Sequence, residues 1–446
     1  MFRPTGFADL RGRRVGIFGV GIEGRATARR LAGVADRLIL VDDARLGDPD
    51  VLVTTEGGIA ALHSCEVVVK SPGIARRRPD VLDLELHGVA IVSALNLWLH
   101  DVDRSRVLAI TGTKGKSTTT ALASFFLQCL GEPAQRLGNI GQPPYDPDLD
   151  TSAGWLVLEV SSFQCVDIDI APAIVMVTSL GADHLDWHGS LEQYQDDKLS
   201  LTRAWGPHQT LVPDNPSFRG IADQLGGDLA FVGSDETHLA AALGLMGAHS
   251  NSNVALALRA VAELTGRDVA DVRERVRERA SAFEPLRGRL TLAATEEGDI
   301  GARVRYVDDG LATAVLPTLA ALEVFVDEPV ALIAGGFDRG VDYTPLAEAL
   351  VSRRARTVLV AMGDAGQRIA SAVSALDAST TIIHVVTMRD AVSRARGALD
   401  GEGIVLLSPA APSFDRYRNW EERSEDFTTA ARELAREWSL GGDSNS

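Results

Sequence analysis

Thr111-Gly112-Thr113-Lys114-Gly115-Lys116-Ser117-Thr118 lies between an apolar run, residues 106–110, and a helix-like stretch, residues 118–130. The segment ends in Gly-Lys-Ser, as a phosphate loop does. In such a loop backbone N–H groups cradle phosphate, Lys116 reaches the β- and γ-oxygens, and Ser117 offers a hydroxyl to Mg²⁺. Ile110 stands where the strict pattern has its first glycine. Glu159 ends a second apolar run, and a carboxylate at a strand's carboxyl end beside the loop is placed to hold Mg²⁺. A third run, residues 173–180, leads into Gly181-Ala182-Asp183-His184-Leu185-Asp186-Trp187-His188. Alone, His184 reads as an ordinary polar residue. With Glu159 and Ser117 on neighbouring strand ends it becomes a candidate ligand. Lys198, in Tyr194-Gln195-Asp196-Asp197-Lys198, reads by composition as a solvated helix lysine. Gly247-Ala248-His249-Ser250-Asn251-Ser252-Asn253 precedes an Ala/Leu-rich helix and reads equally as a helix cap or a ligand contact.

A second glycine-rich turn, Gly19-Val20-Gly21-Ile22-Glu23-Gly24, follows an apolar run and opens a helix, with Asp42 ending the next run. This is the context of a diphosphate seated on a helix N-terminus. A tight turn with glycines for packing is the competing reading. No second mononucleotide half follows, so a UDP-type ligand fits at least as well as NAD. Ser71-Pro72-Gly73 closes a later run and can supply N–H groups to the same ligand.

These residues need strands and helices to position them. Val/Ile/Leu-rich runs at 14–20, 38–43, 66–74, 106–113, 155–162, 173–180, 329–336, 357–363 and 403–410 each end in a Gly-, Ser- or Asp-containing turn. Continuous apolar character predicts parallel strands buried on both faces. The helix-like stretches between them make the fold class α/β, with three α/β units along the chain. Polar residues 100–106 and the Pro/Gly-containing 283–290 mark the joins, dividing the chain into 1–103, 104–287 and 288–446. The polar tail, 441–446, is expected to be disordered.

The chain has 446 residues with a net charge of −17, which disfavours nucleic acid and anionic membranes. Three dispersed cysteines exclude a disulfide framework and fit a reducing compartment. No apolar run spans a bilayer and no signal segment opens the chain, so a cytoplasmic protein of small-molecule substrates is expected.

Taken together, TGTKGKSTTT, GNIG at 138–141, LEVSSFQ at 158–164, DHLDWHG at 183–189, the YQDDK lysine, GAHSNSN and LLSPAAPSFD at 406–415 resemble the Mur ligase family, in its order. GVGIEG, SPGI and SSFQ resemble its glutamate-adding members. The resemblance implies three domains, Rossmann-like, central phosphate-loop ATPase and Rossmann-like, and an enzyme that uses ATP and Mg²⁺ to phosphorylate the carboxylate of UDP-N-acetylmuramoyl-L-alanine; a monomer is expected. An amino acid's amine then attacks the acyl phosphate. By matching position it implies that Gly112 to Thr118, Asn253, Arg289 and Asp308 bind ATP. Ser117 and Glu159 match one metal site. His184 and Lys198, the lysine carbamylated, match a second, so that Lys116, His184 and Lys198 are the catalytic candidates. Gly19, Gly21, Gly24, Asp42, Ser71, Gly73, Asn139, Ser161 and Gln164 match the UDP-substrate site. Thr313, Arg339, Ser413 and Trp420 match the glutamate pocket.

Departures cluster at that pocket. Leu311 replaces a lysine usual in the D-glutamate-adding enzymes, Arg339 replaces a lysine, and Trp420 replaces a phenylalanine. Arg presents a bidentate fork where Lys is a point charge. The pattern resembles the L-glutamate-adding branch; the D-glutamate-adding ligase is the alternative. An NAD-dependent oxidoreductase built on GVGIEG is the second alternative, and it leaves the phosphate loop and Glu159 unexplained.

Overall fold

The computed structural model describes residues 2–44, 47–139, 142–181, 183–298 and 301–441. Ile140 and Gly141 of the GNIG segment, Ala182, and residues 442–446 of the tail lie outside the described residues.

The first sheet joins β1 (Arg14–Phe18), β2 (Arg37–Asp42), β3 (Val51–Val53), β4 (Val67–Lys70) and β5 (Ala90–Val92). All pairs are parallel, in the order β3-β2-β1-β4-β5. Alternate residues of β4 feed opposite cores: Val67 and Val69 pack with Leu95 and Leu97, while Val68 packs with Leu62 and Leu84. Two covered faces explain why the strand is apolar throughout.

The second sheet holds β6 (Val107–Thr111), β7 (Ala134–Gly138), β8 (Trp155–Glu159), β9 (Ile174–Val177), β10 (Gln209–Pro213) and β11 (Asp228–Val232). Its order is β11-β10-β9-β6-β8-β7, again all parallel. One apolar cluster runs from Phe7, Leu10 and Trp98 to Val107, Leu156 and Leu201, so both sheets share a compact unit of residues 1–239 and 249–280.

The other compact unit comprises residues 240–248 and 281–446. Its sheet contains β12 (Thr291–Gly298), β13 (Gly301–Asp308), β14 (Val330–Gly335), β15 (Thr357–Met362), β16 (Thr381–Val385) and β17 (Gly403–Leu407). The order is β12-β13-β17-β14-β15-β16, with only β12 antiparallel to its neighbour. Cys65, Cys129 and Cys165 are buried free thiols. Among the described residues no helix is long and apolar enough to cross a membrane.

Candidate active site

β6 is buried along its length and delivers the chain into the phosphate loop. Gly112 takes φ +144°, and a Cβ there would fall 2.1 Å from Thr178 Oγ1. Gly115 takes φ +86° and caps the helix Lys116–Cys129. Both positions therefore need glycine. The loop is fastened to the segment after β9. Thr113 N donates to Ser179 O at 2.9 Å, Lys114 N to Ser179 Oγ at 2.8 Å, and Thr113 Oγ1 lies 2.9 Å from the Tyr194 hydroxyl. Lys116 Nζ donates to Gly112 O (2.9 Å) and Thr113 O (3.3 Å), which holds its charge at the loop. Ser117 is buried in the helix's first turn, and Asn253 Oδ1 would lie 2.7 Å from a Cβ at Gly115. The loop, Ser117 and Asn253 are thus brought together at a helix N-terminus, where unpaired N–H groups and the helix dipole attract an anion.

Glu159 is buried at the end of β8. Its Oε1 accepts from Asn139 Nδ2 at 2.9 Å, while its buried Oε2 has no hydrogen-bond partner. A bare carboxylate oxygen in the interior is costly. A hard cation beside it removes that cost, so the donor set fits Mg²⁺. Lys198 is buried too, with Nζ donating to Gly112 O at 3.0 Å and lying 5.0 Å from the Tyr194 ring centre. Burial, then the charge of Lys116, lowers its pKa to about 7; Glu159 and Asp183 act on it in the opposite sense. Far from being solvated, Lys198 shares one electrostatic neighbourhood with Lys116 and Glu159.

His184 is exposed with φ +47°, its ring 4.9 Å from the Phe163 ring and its Nε2 3.7 Å from Asp183 Oδ2. His188, one turn on, is buried instead. Its Nδ1 lies 2.7 Å from Asp197 Oδ2 and its Nε2 3.0 Å from Ser162 Oγ. Burial lowers the His188 pKa. Asp197 also accepts a two-pronged contact from Arg77, at 2.9 and 2.6 Å. None of His188, Asp197 or Arg77 stood out by type or spacing. What marks them is burial of a charged pair.

At the first sheet, order reverses between β1 and β4, the place where an open parallel sheet binds ligands beyond its carboxyl ends. Gly19 (φ +90°) and Ser71 meet there, Ser71 Oγ donating to Gly19 O at 2.5 Å. Gly21 caps the helix Ile22–Leu31 with open space around it, and Gly73 is open as well. Asp42 accepts from Val20 N (2.7 Å) and Ala44 N (3.0 Å), so it braces the turn. Glu23, unremarked within GVGIEG, accepts from the Tyr145 hydroxyl at 2.7 Å and from Gln164 Nε2 at 2.9 Å, and burial raises its pKa. Gln164 Oε1 in turn accepts from Ser161 N at 2.8 Å, closing a capping box on the helix Ser162–Cys165. A Cβ at Gly24 would fall 2.0 Å from Gly19 O. Gly24→Ala is expected to push the helix off the turn, costing about 2–3 kcal/mol. A lower Tm together with weaker binding of a uridine diphosphate ligand is the result to look for.

In the other unit, Asp308 ends β13 and accepts from Gly310 N (2.9 Å) and Ser424 Oγ (3.0 Å), burial raising its pKa. Arg289 is exposed. The segments after β14 and β17 run together, with Phe337 N donating to Pro412 O at 2.9 Å; Arg339 on the first is exposed and Ser413 on the second is buried. Half-buried Trp420 lies against Gly288, whose Cβ would meet its ring at 2.6 Å. The Leu311 N–H bonds to Gly288 O and the half-buried Thr313 N–H to Leu311 O. Two residues were missed by sequence reasoning. Arg423 is buried and donates to Gly310 O and Ala411 O, both at 3.0 Å, which ties the loops after β13 and β17. Burial lowers its pKa to about 10. Asp309, which accepts from Ser408 Oγ at 2.7 Å, is pushed by burial to about 7.

A phosphate loop, a buried carboxylate with a bare oxygen and two further parallel-rich sheets define a nucleotide-handling α/β enzyme. The family model of the Mur ligase middle domain matches residues 110–227. A UDP-N-acetylmuramoyl-L-alanine–L-glutamate ligase of Micromonospora sp. is 39% identical, the alignment covering 96% of this chain and 98% of the relative. A like-named ligase of Xanthomonas euvesicatoria is 33% identical over 95% of this chain and 96% of its own. Among solved structures, MurF from Acinetobacter baumannii superposes with TM-score 0.54 at 15% identity, covering 93% of each chain. The UDP-N-acetylmuramate–alanine ligase of Thermotoga maritima superposes with TM-score 0.51 at 18% identity, covering 95% of this chain and 100% of that one. The chain belongs to the Mur ligase family. It is an ADP-forming ligase that joins an acid to an amino acid.

Proposed function

We propose that the chain adds L-glutamate to UDP-N-acetylmuramoyl-L-alanine in peptidoglycan precursor synthesis. The observation that carries this reading is the 39% identity, over 96% of the chain, to a ligase named for that reaction. The site supports it. The alanine carboxylate attacks the γ-phosphorus of ATP, ADP leaves, and the glutamate amine adds to the acyl carbon before phosphate departs. Lys116 offsets the repulsion between two anions and follows the charge as it spreads over the transferred phosphoryl oxygens. Ser117 and Glu159 hold one Mg²⁺; His184 and Lys198, the lysine as a carbamate, serve a second. Bound Mg²⁺ supplies positive charge at the phosphates. On this reading residues 1–103 bind the UDP substrate around Gly19, Gly21, Ser71 and Gly73. Residues 104–287 bind ATP and 288–446 bind glutamate.

Arg339 takes one glutamate carboxylate through its planar fork, Ser413 donates to the other, and Thr313 and Trp420 wall the methylenes. Phosphate release with ATP, Mg²⁺, UDP-N-acetylmuramoyl-L-alanine and either glutamate enantiomer tests the reading. A higher kcat/KM for L-glutamate is expected. A preference for D-glutamate refutes the stereochemistry and keeps the ligase; no release with either refutes the substrate. Arg339→Lys is expected to raise KM for glutamate about tenfold with KM for ATP little changed, the loss of one good charge-assisted contact.

A further inference from the structure

The first sheet carries a side-chain cluster that amide formation does not use. His63 ends the helix Gly58–His63; Asp83 lies within the helix Pro79–Leu86, and His87 caps it. Leu62, Val81 and Leu84 fasten both helices into one core with Phe18, Val41 and Val68. His63 and Asp83 are half-buried to exposed at the outer surface, and His87 is exposed. His63 Nε2 lies 2.9 Å from Asp83 Oδ2, and His87 Nδ1 lies 3.3 Å from Asp83 Oδ1 and 2.8 Å from the Asp83 carbonyl oxygen. The imidazoles meet edge to face, centroids 4.9 Å apart. One ligand atom from each residue lies within 4.8 Å of the other two, and no other group of His, Cys, Asp and Glu among the described residues does this.

We infer that His63, Asp83 and His87 bind one divalent transition-metal ion of the zinc type. Bonds of about 2.0–2.1 Å around a tetrahedral ion separate its ligand atoms by roughly 3.4 Å; the two imidazole–carboxylate separations, 2.9 and 3.3 Å, lie near that spacing, and all three ligand atoms fall within 4.8 Å of one another. Two imidazoles and one carboxylate suit Zn²⁺, Ni²⁺ or Cu²⁺; Mg²⁺ prefers an all-oxygen shell. Three protein ligands leave a fourth position for water. Helices already fixed by their core lose little freedom on binding. The ion clamps two helices that are separate in sequence, and folded-state binding raises stability by mass action.

The test is calorimetric titration of the full chain with Zn²⁺ in excess Mg²⁺, paired with visible spectra of the Co²⁺-loaded protein. One Zn²⁺ site and the intense Co²⁺ bands of a four- or five-coordinate ion are expected. His63→Ala and His87→Ala should each weaken Zn²⁺ by at least about tenfold, and Asp83→Asn should weaken it too. The Mg²⁺-supported ligase rate should stay unchanged in all three. Glu159→Gln should leave Zn²⁺ binding intact, which separates this site from the candidate active site. Equal Zn²⁺ affinity in wild type and both histidine variants overturns the inference, as does a Co²⁺ spectrum of the hydrated ion alone.

Discussion

Alanine in place of Lys116 lowers ligase turnover by about 100-fold or more, roughly 2.7 kcal/mol of transition-state stabilisation. Lys116 Nζ is held by the carbonyls of Gly112 and Thr113, at the first turn of the helix it opens. A cation fixed there costs no reorganisation when charge spreads over the transferred phosphoryl group. The effect should fall mainly on kcat, because the charge gained in the transition state exceeds that in bound ATP. Alanine suits a helix's first turn, so circular dichroism and Tm should hardly move. The charge of Lys116 is also the second cause of the lowered Lys198 pKa. Its removal should therefore let the Lys198 pKa rise. Phosphate release near the wild-type rate in Lys116→Ala would end the phosphate-loop assignment.

Strands were legible in the sequence where their residues form a continuous apolar run, most of them buried on both faces. Each of the nine apolar runs forms a strand: β1, β2, β4, β6, β8, β9, β14, β15 and β17. The outer strands β3, β5, β7, β11, β12 and β16 were not legible. An edge strand is covered less completely, so its residues need not form a continuous apolar run. Asp228–Val232 shows this, having no fully buried residue. The two core strands that were missed, β10 and β13, carry polar or charged residues within the apolar pattern: Gln209 and Thr210 open one, and Arg305 interrupts the other.

The site divides along a similar line. Glycines with positive φ and the Gly-Lys-Ser ending are local chemistry, so Gly19, Gly112 and Gly115 could be read directly. Residues whose role comes from distant partners could not. Glu23 meets Tyr145 and Gln164, from far along the chain, and Arg423 reaches back to Gly310. Composition gives His184 and His188 equal standing, yet one is exposed and the other buried against Asp197. Asp42, a candidate for the UDP-substrate site, also braces its turn, its two oxygens accepting from the amides of Val20 and Ala44.

Lys198→Ala should remove activity almost completely, by about 1,000-fold, the scale of several kcal/mol that metal-assisted charge stabilisation supplies. An ordinary lysine, with pKa about 10.4, is neutral in roughly one molecule in 2,500 at pH 7. Burial holds Lys198 at about 7, so about half is neutral there, roughly a thousandfold enrichment. The neutral amine is the form that attacks carbon dioxide. An N–C bond forms, the nitrogen loses a proton to solvent, and an anionic carbamate replaces a cation. On the proposed reading that exchange would turn a group repelling Mg²⁺ into an oxygen ligand for it, complementing Glu159, whose Oε2 lacks a hydrogen-bond partner. The pH dependence follows in sign. Because the folded-state pKa is depressed, Lys198 is ammonium below about pH 7 and carbamylation rises through that value. Isotope-labelled bicarbonate should give a carbamate resonance in the wild type at pH 8 that weakens at pH 6 and is absent from Lys198→Ala. Lys198→Arg stays charged and should be as inactive as the alanine variant. Bicarbonate should rescue neither, whereas formate or acetate should restore part of the alanine variant's rate by placing an oxygen ligand in the vacated space. Full activity of untreated Lys198→Ala would show that its burial serves packing alone.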